Sequence, residues 1–114
     1  MKSSNLHKAA ALALIALATM GSSASAQLRV VATTPDLASL AREIGGDRVN
    51  VVALAKPTED PHYVDAKPSH IVTLNRADVL IEGGAELEVG WLPPLLESAR
   101  NGRMTGSASS GVPR

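Results

Sequence analysis

Three short segments of the chain are rich in branched apolar residues and are separated by polar or helix-like stretches. Two of them, Leu28–Thr33 and Val49–Leu54, have few charged side chains, and the third, Asp78–Glu82, has an apolar centre between two acids. Such runs are typical of strands buried in a parallel sheet, where both faces are covered. We therefore predict strands at 28–33, 49–54 and 78–82.

Helical patterns lie between and after these strands. The segment Thr34-Pro35-Asp36 is a typical helix start, with Thr as the cap and Pro in the first turn. Gly45-Gly46 then provides the stop, because glycine accepts the left-handed cap conformation. The apolar stripe of this first helix, spaced i, i+3, i+4 and i+7, consists of Leu37, Leu40, Ala41 and Ile44.

Two further helices are predicted from proline positions. Pro68 opens a short helix in which Ile71 and Leu74 share a face. Proline is not tolerated in a helix interior, so Pro93-Pro94 indicates a turn over 86–89 and a new helix beginning at about Pro93. Strands that alternate with helices predict an α/β fold: a partial doubly wound parallel sheet of three strands with flanking helices. Strand 28–33 should lie in the middle, since such a sheet reverses direction at its first strand.

The first 26 residues have the pattern of a secretory signal peptide. Lys2 and Lys8 precede the apolar run Ala9–Met20, and small residues then lead to an A-x-A site that ends at Ala26. The run is too short for a membrane span, which needs about 20 apolar residues. We expect cleavage after Ala26, export to the periplasm and no membrane insertion after cleavage.

Charge and cysteine content limit the partners and the covalent links that are expected for residues 27–114. The chain has 11 basic and 11 acidic residues, and loss of Lys2 and Lys8 leaves a slight negative excess, which argues against nucleic acid or an anionic membrane as partner. There is no cysteine, so we expect a core without disulfides and no lipid anchor through that residue. Residues 104–114 are rich in Gly and Ser, and we predict a disordered tail there.

The segment Glu59-Asp60-Pro61-His62-Tyr63 is the main candidate for chemistry. It follows the second predicted strand and precedes a helix, so it lies at the carboxyl edge of the sheet, where α/β proteins bind ligands. Proline stiffens the loop, and a neutral imidazole suits zinc or, with carboxylates, manganese. His62 is therefore the candidate metal ligand, although a solvated loop histidine is the simpler alternative from the local sequence.

Neighbouring polar residues have simpler interpretations. His70 lies in the first turn of a predicted helix and is expected to be exposed. Glu59, Asp60 and Asp65 are expected to be solvated or to interact with the helix dipole, although Asp60 could brace the His62 loop. We expect Trp91 in the core. Tyr63 is expected to pack under the loop.

Several segments agree in order and spacing with one family. Together they resemble the start of the zinc- and manganese-binding solute-binding proteins of metal ABC transporters, known as cluster A-I. The match extends from the signal peptide to about Arg103 and includes Val31–Leu37, Val49–Leu54, Asp60–Tyr63, Ala77–Ile81 and Leu87–Leu92. In that family two α/β lobes, joined by a long helix, hold one metal ion between them, and the first metal-binding histidine corresponds to His62.

The resemblance implies a periplasmic binding protein that is not an enzyme, carries zinc (slightly favoured) or manganese as transported ligand, and works as a monomer with a membrane permease. Residues 27–103 would form an incomplete N-terminal lobe, because the family's linker helix, second lobe and later ligands have no counterpart here. We therefore expect a truncated or frame-shifted piece. Two alternatives remain: a fragment without competent metal binding, or a fragment of a metal-dependent hydrolase, for which no H-E-x-x-H or G-x-S-x-G motif is present.

Overall fold

The structure, a computed structural model, describes residues 4–10 and 25–105. Residues 4–10 form helix α1, and within the described residues no helix is both long and apolar enough to cross a membrane. The apolar run and most of the predicted signal peptide lie outside the described residues. The remaining elements, in chain order, are β1 (Leu28–Ala32), α2 (Pro35–Gly45), a 3₁₀ turn (Gly46–Arg48), β2 (Val49–Ala53), α3 (Pro68–Arg76), β3 (Val79–Ile81), α4 (Leu92–Ala99) and α5 (Gly102–Thr105).

The three strands form one parallel sheet in the order β2-β1-β3. Leu28 pairs with Val49 at the start of the first ladder, and Val30 pairs with Val79 at the start of the second. The predicted α/β class, the parallel pairing and the central position of the first strand are confirmed. Helices fill both connections, as parallel strands require.

β3 is shorter than predicted because Asp78 uses its side chain as well as its backbone to meet β1. The Asp78 N–H donates to the Arg29 carbonyl at 2.8 Å, and the Asp78 carboxylate accepts from the Arg29 backbone N–H at 2.9 Å. The same carboxylate pairs with the guanidinium groups of Arg29 and Arg103. The strand therefore begins one residue later, at Val79.

The core lies where β1 meets helices α3 and α4. Val30, Val31 and Ala32 are all buried, which fits a central strand covered on both faces. Because side chains alternate along a strand, Val31 faces the opposite way from its two neighbours. The cluster around Val31 contains Leu54, Ala55, Val64, Leu74, Ala77, Trp91, Leu92, Leu95 and Ala99.

Helix α2 packs differently from the predicted stripe. Leu40 and Ile44 are 56% and 79% exposed, whereas Ala38 is fully buried. A Cβ on Gly45 would collide with the side chain of Val49, so the end of the helix lies very close to β2. The predicted stripe is only partly buried: Leu37 and Ala41 are half-buried, whereas Leu40 and Ile44 are exposed because small residues of the helix set the approach to the sheet.

Strand β2 is an edge strand and has only one covered face. Its residues alternate between half-buried and exposed, and Val52 is exposed. The apolar run from Val49 predicted a strand buried on both faces. Burial on both faces requires a neighbour on each side and a second layer, which the position of β2 in the sheet does not provide.

The chain after α4 forms a short helix whose last two residues fall in the predicted disordered tail, 104–114. Residues 102–105 form α5, and the buried Asn101 explains why. Its amide nitrogen donates to the carbonyls of Leu74 and Ala77 at 2.8 Å, and its amide oxygen accepts from the Arg103 N–H at 3.1 Å. This residue joins α3 to the first turn of α5. Residues 106–114 lie outside the described residues.

Candidate metal site

The loop that carries His62 leaves the carboxyl end of β2 and is fixed to the sheet at its start. The Leu54 N–H donates to the Ala32 carbonyl at 2.9 Å, and the Ala55 N–H donates to the Thr33 carbonyl at 3.0 Å. Both Leu54 and Ala55 are buried. The loop therefore begins from the sheet edge at which α/β proteins bind ligands.

The side chains of His62 and Asp60 are in direct contact. His62 Nδ1 lies 2.8 Å from Asp60 Oδ1, and both side chains are more than half exposed. An ionised carboxylate can only accept a hydrogen bond, so in the neutral imidazole Nδ1 is the nitrogen that carries the proton. The other ring nitrogen, Nε2, then has the free lone pair that a metal ion needs.

Asp60 also shapes the backbone of the loop. Its Oδ1 accepts from the His62 backbone N–H at 2.9 Å, and its carbonyl accepts from the Tyr63 N–H at 2.9 Å. The hydrogen bonds from the His62 backbone and ring lower the pKa of Asp60 from its ordinary value. The bracing role considered for Asp60 is thus present as hydrogen bonds to both backbone and ring.

Two buried side chains hold the centre of the loop. The Trp91 indole N–H donates to the Pro61 carbonyl at 2.8 Å, one residue before His62. Val64 is buried in the core cluster on the other side of His62. The predicted core position of Trp91 is confirmed, since it is 5% exposed. His62 is therefore an exposed side chain on a loop that is anchored on both sides.

A buried carboxylate, which the sequence analysis did not identify, lies between the ends of β1 and β3. Glu88 is 4% exposed and accepts hydrogen bonds from the Thr33 hydroxyl, from Gly83 N–H at 2.6 Å and from Gly84 N–H at 3.1 Å. It joins the ends of β1 and β3. The only sequence signal was its position four residues after a pair of glycines whose N–H groups could serve as donors.

The other candidate residues have local structural roles. The Nδ1 atom of His70 accepts from the Lys67 N–H at 3.3 Å and so caps its own helix. Burial, followed by the charge of Lys67, lowers the His70 pKa. Glu59 accepts from the Lys56 N–H at 2.7 Å, and Asp65 is exposed. Tyr63 is 82% exposed, so the prediction that it packs under the loop was wrong: Val64, the next residue, takes the buried position.

The described residues contain no complete cluster of metal ligands. Across residues 4–10 and 25–105, no group of three or more histidine, cysteine or acidic side chains could hold a metal ion. A cavity of about 350 Å³ lies between the start of α2 and this loop, and its lining includes Pro35, Glu59 and Pro61 but not His62. Among the candidate residues, the structure brings the side chains of His62 and Asp60 into direct contact at 2.8 Å.

A parallel sheet with a histidine-bearing loop at its carboxyl edge is the arrangement of the α/β ligand-binding proteins. Comparison with known proteins identifies the family within this class. The family described as "Zinc-uptake complex component A periplasmic" (ZnuA) matches residues 30–114. The chain therefore belongs to the ZnuA family of metal ABC transporter substrate-binding proteins.

Two relatives illustrate the similarity. The chain is 34% identical over 94 residues to the manganese-binding lipoprotein MntA of Bacillus subtilis (strain 168), a match that covers 82% of this chain and 30% of the relative. It is 32% identical over 81 residues to the manganese ABC transporter substrate-binding lipoprotein scaA of Streptococcus gordonii, covering 68% of this chain and 26% of the relative. The chain thus spans less than a third of the length of either relative.

Solved structures give the same family. A crystal structure of ZnuA is 28% identical with a TM-score of 0.59, and the match covers 65% of this chain and 29% of that one. A zinc-bound ZnuA deletion mutant is 29% identical with a TM-score of 0.63, covering 77% of this chain and 34% of that one. These similarities support the α/β fold described above.

Proposed function

We propose that this chain supplies the first metal-ligand loop of the binding component of an ABC importer for zinc or manganese ions. His62 is the ligand, and its Nε2 atom makes the bond to the ion. The carboxylate of Asp60 orients the ring. The observation that carries this proposal is the 2.8 Å contact between His62 Nδ1 and Asp60 Oδ1.

This contact matters because histidine ligands usually donate their second ring N–H to a carboxylate or carbonyl. The partner fixes the tautomer and the direction of the ring, so less orientational freedom is lost when the ion binds. An isolated surface histidine has no such partner. The pair thus favours a ligand role over that of a solvated loop histidine.

The choice of metal depends on ligands that complete the coordination. Imidazole suits zinc, and it suits manganese when carboxylates are added. Related proteins carry both metals in their names: the Bacillus subtilis relative is a manganese-binding lipoprotein, and one similar structure holds zinc. The proposal covers both ions. The ligands that would complete the coordination are not among those identified in the described residues.

Location and partner follow from the same proposal. The export pattern of residues 1–26 and the family of the chain support a periplasmic protein that passes its ion to a membrane permease of the importer. We expect it to act as a monomer. The chain is not proposed to be an enzyme, because transport requires reversible capture of the ion without chemistry at it.

The alternative is that the chain is a fragment without competent metal binding. Such a fragment would keep the fold, and His62 would be a solvated loop residue. The absence of a three-residue metal cluster within residues 4–10 and 25–105 favours this alternative when the chain is tested alone. The two are distinguished by whether zinc contacts His62 at all.

The test is a zinc titration of the 114-residue chain, monitored by calorimetry and by NMR signals of the imidazole rings. One imidazole against water should bind at about millimolar, near −4 kcal/mol, compared with about −12 kcal/mol for a nanomolar site. The His62→Ala variant should abolish the response, and the His70→Ala variant should preserve it. Acid should weaken binding, because a protonated ring cannot coordinate.

Two results would change the conclusion. If zinc does not shift the His62 ring, or if His70→Ala removes the response, the ligand assignment is wrong. A stoichiometric submicromolar site that His62→Ala abolishes would mean that the chain completes a cage by itself, for example by dimerising. Manganese binding is measured in a parallel titration, in which line broadening of the same imidazole ring signals reports the contact.

A further inference from the structure

We propose that Trp91 is a positioning residue for His62, and that Glu88 fixes the segment from which Trp91 acts. This inference rests on the proposed ligand role of His62 and concerns residues that never touch the ion. It begins from the hydrogen bond between the Trp91 indole and the Pro61 carbonyl, at 2.8 Å.

The indole bond constrains the peptide group next to His62. The Pro61 carbonyl belongs to the peptide bond that joins Pro61 to His62, so holding its oxygen fixes the plane of that peptide. The His62 N–H, on the other side of the same peptide, donates to Asp60 at 2.9 Å. Both polar atoms of this one peptide group are therefore bonded, and the direction of the His62 Cα–Cβ bond is restricted.

The turn before Trp91 is itself fastened to the sheet. Glu88 accepts from Thr33 at the end of β1 and from Gly83 and Gly84 after β3. Residues Ala85 and Glu86 have positive φ values of 51° and 68°, which non-glycine residues seldom adopt. The carboxylate of Glu88 thus holds a tight turn against the ends of two strands.

The backbone continues this connection to Trp91. The N–H groups of Trp91 and Leu92 both donate to the Glu88 carbonyl, at 3.2 and 3.0 Å. Glu88 therefore hydrogen-bonds to the strand ends through its side chain and to the start of α4 through its backbone carbonyl. Trp91 is 5% exposed, and its indole N–H is the single group through which this fixed segment holds the loop. Nothing else in this turn donates a side-chain hydrogen bond to the loop among the described residues.

A direct measurement in the unsubstituted chain tests the indole bond. Trp91 is the only tryptophan, so its indole nitrogen gives one NMR signal. We expect a through-hydrogen-bond coupling between this nitrogen and the Pro61 carbonyl carbon. Zinc added at His62 should shift the indole signal along the same titration curve as the His62 ring, and His62→Ala should remove that shift.

A substitution tests what the bond does. Trp91→Phe keeps an aromatic ring in the core and removes the N–H group. Hydrogen exchange at the His62 and Tyr63 amides should become about tenfold faster, the factor for losing one hydrogen bond. Exchange at the Leu54 amide, which reports on the sheet, should change much less. Zinc affinity should fall about tenfold, as for other outer partners of metal ligands.

The matched control is Tyr63→Phe, which removes a hydroxyl from an exposed aromatic ring beside His62. It should leave loop exchange and zinc affinity unchanged. The inference is overturned if the indole coupling is missing while helix α3 couplings appear in the same spectrum. It is also overturned if Trp91→Phe speeds exchange at Leu54 as much as at His62, because Trp91 would then only stabilise the core.

The two proposals fail separately. If zinc does not bind His62 in the unsubstituted chain, the proposed function is wrong, and the coupling and the exchange ratio still decide whether Trp91 positions the loop. If zinc binds His62 with the same affinity in Trp91→Phe, the positioning role is wrong while the ligand role stands. Should Trp91→Phe fail to fold, the coupling in the unsubstituted chain decides.

Discussion

The carboxylate of Asp60 determines which ring nitrogen of His62 is available to a ligand. The imidazole alone could present either ring nitrogen to solvent, and the contact with Asp60 selects Nε2. The same Oδ1 atom accepts from the His62 backbone N–H. Orientation of the ring and shape of the loop therefore depend on one side chain.

We predict that Asp60→Asn weakens zinc binding at His62 by about tenfold, because an amide can accept the same hydrogen bonds but carries no charge to fix the tautomer. Zinc titration followed at the His62 ring measures the change. Asp65→Asn, at an exposed acid of the same loop, is the control. An equal loss in both variants would indicate a general effect of negative charge near the site and would contradict a specific role for Asp60.

Asp78 connects the stability of the fold to acid pH through its contacts with Arg29 and Arg103. Hydrogen bonds from Arg29 lower its pKa from 3.8 to about 2. A carboxyl whose folded pKa is depressed stabilises the fold above its unfolded pKa, and this stabilisation is lost as the pH falls through the folded value. The relevant window therefore runs from about pH 4 down to about pH 2.

We expect Asp78→Asn to lower the thermal midpoint at neutral pH, and the difference from the unsubstituted chain to shrink as the pH falls through that window. Thermal unfolding followed by circular dichroism between pH 2 and pH 7 measures both curves. Asp65→Asn, which removes one negative charge from an exposed position, is the control for a general effect of charge. A constant difference across the window would contradict the linkage.

At the scale of elements, small residues determine how α2 meets the sheet. Ala38 is buried and Gly45 faces the side chain of Val49, while Leu40 and Ile44 remain exposed. The hydrophobic period of the helix predicted a face that includes Leu40 and Ile44, whereas the buried side is centred on Ala38 and includes the half-buried Leu37 and Ala41. A larger apolar side chain gains more by burial in general, but here the close approach of α2 and β2 leaves room only for small side chains.

We predict that Gly45→Ala lowers the free energy of unfolding by about 1–3 kcal/mol, the usual cost of overpacking. The cause is steric, since Gly45 has helical backbone angles with φ −84° that alanine accepts readily. Urea unfolding monitored by circular dichroism gives the difference. Gly102→Ala, where an added Cβ has nothing within 4 Å, should have little effect. A neutral result at Gly45 would mean that α2 can move away from the sheet at low cost.

At the scale of the whole molecule, the described residues form a small sheet with incomplete cover. Within residues 4–10 and 25–105, both outer strands, β2 and β3, are paired on one side only, and open edges favour association with other chains. Apolar side chains on the sheet and on α3 are also exposed, among them Val52, Val72 and Val79. A chain of this size buries only a little over about 60% of its unfolded surface, which leaves little excess stability.

We therefore expect the purified chain to unfold over a broad temperature range and to bind a hydrophobic dye before unfolding. Scanning calorimetry and dye fluorescence measure the two properties. A double variant, Val52→Thr with Val72→Thr, should bind less dye without loss of secondary structure, since both positions are exposed. A sharp reversible transition with slow hydrogen exchange in all three strands would contradict this expectation.

Much of the architecture was determined by the sequence alone. The branched apolar runs, the caps Thr34 and Gly46 and the helix-opening Pro68 predicted three parallel strands, two connecting helices and the central place of β1. These features depend on local preference and on the few ways in which a parallel sheet can be connected. The loop after β2 was likewise predictable, and with it the position of His62 at the carboxyl edge.

Only the tertiary structure decided which side of each element is buried and which polar groups meet. The exposed Leu40, the one-sided burial of β2 and the helix after Asn101 all result from neighbours distant in sequence. The same holds for Glu88, whose partner Thr33 is 55 residues away, and for Trp91, which is 30 residues from Pro61. Local patterns carry no record of such pairs, because a hydrogen bond between distant residues depends on where the completed sheet places them.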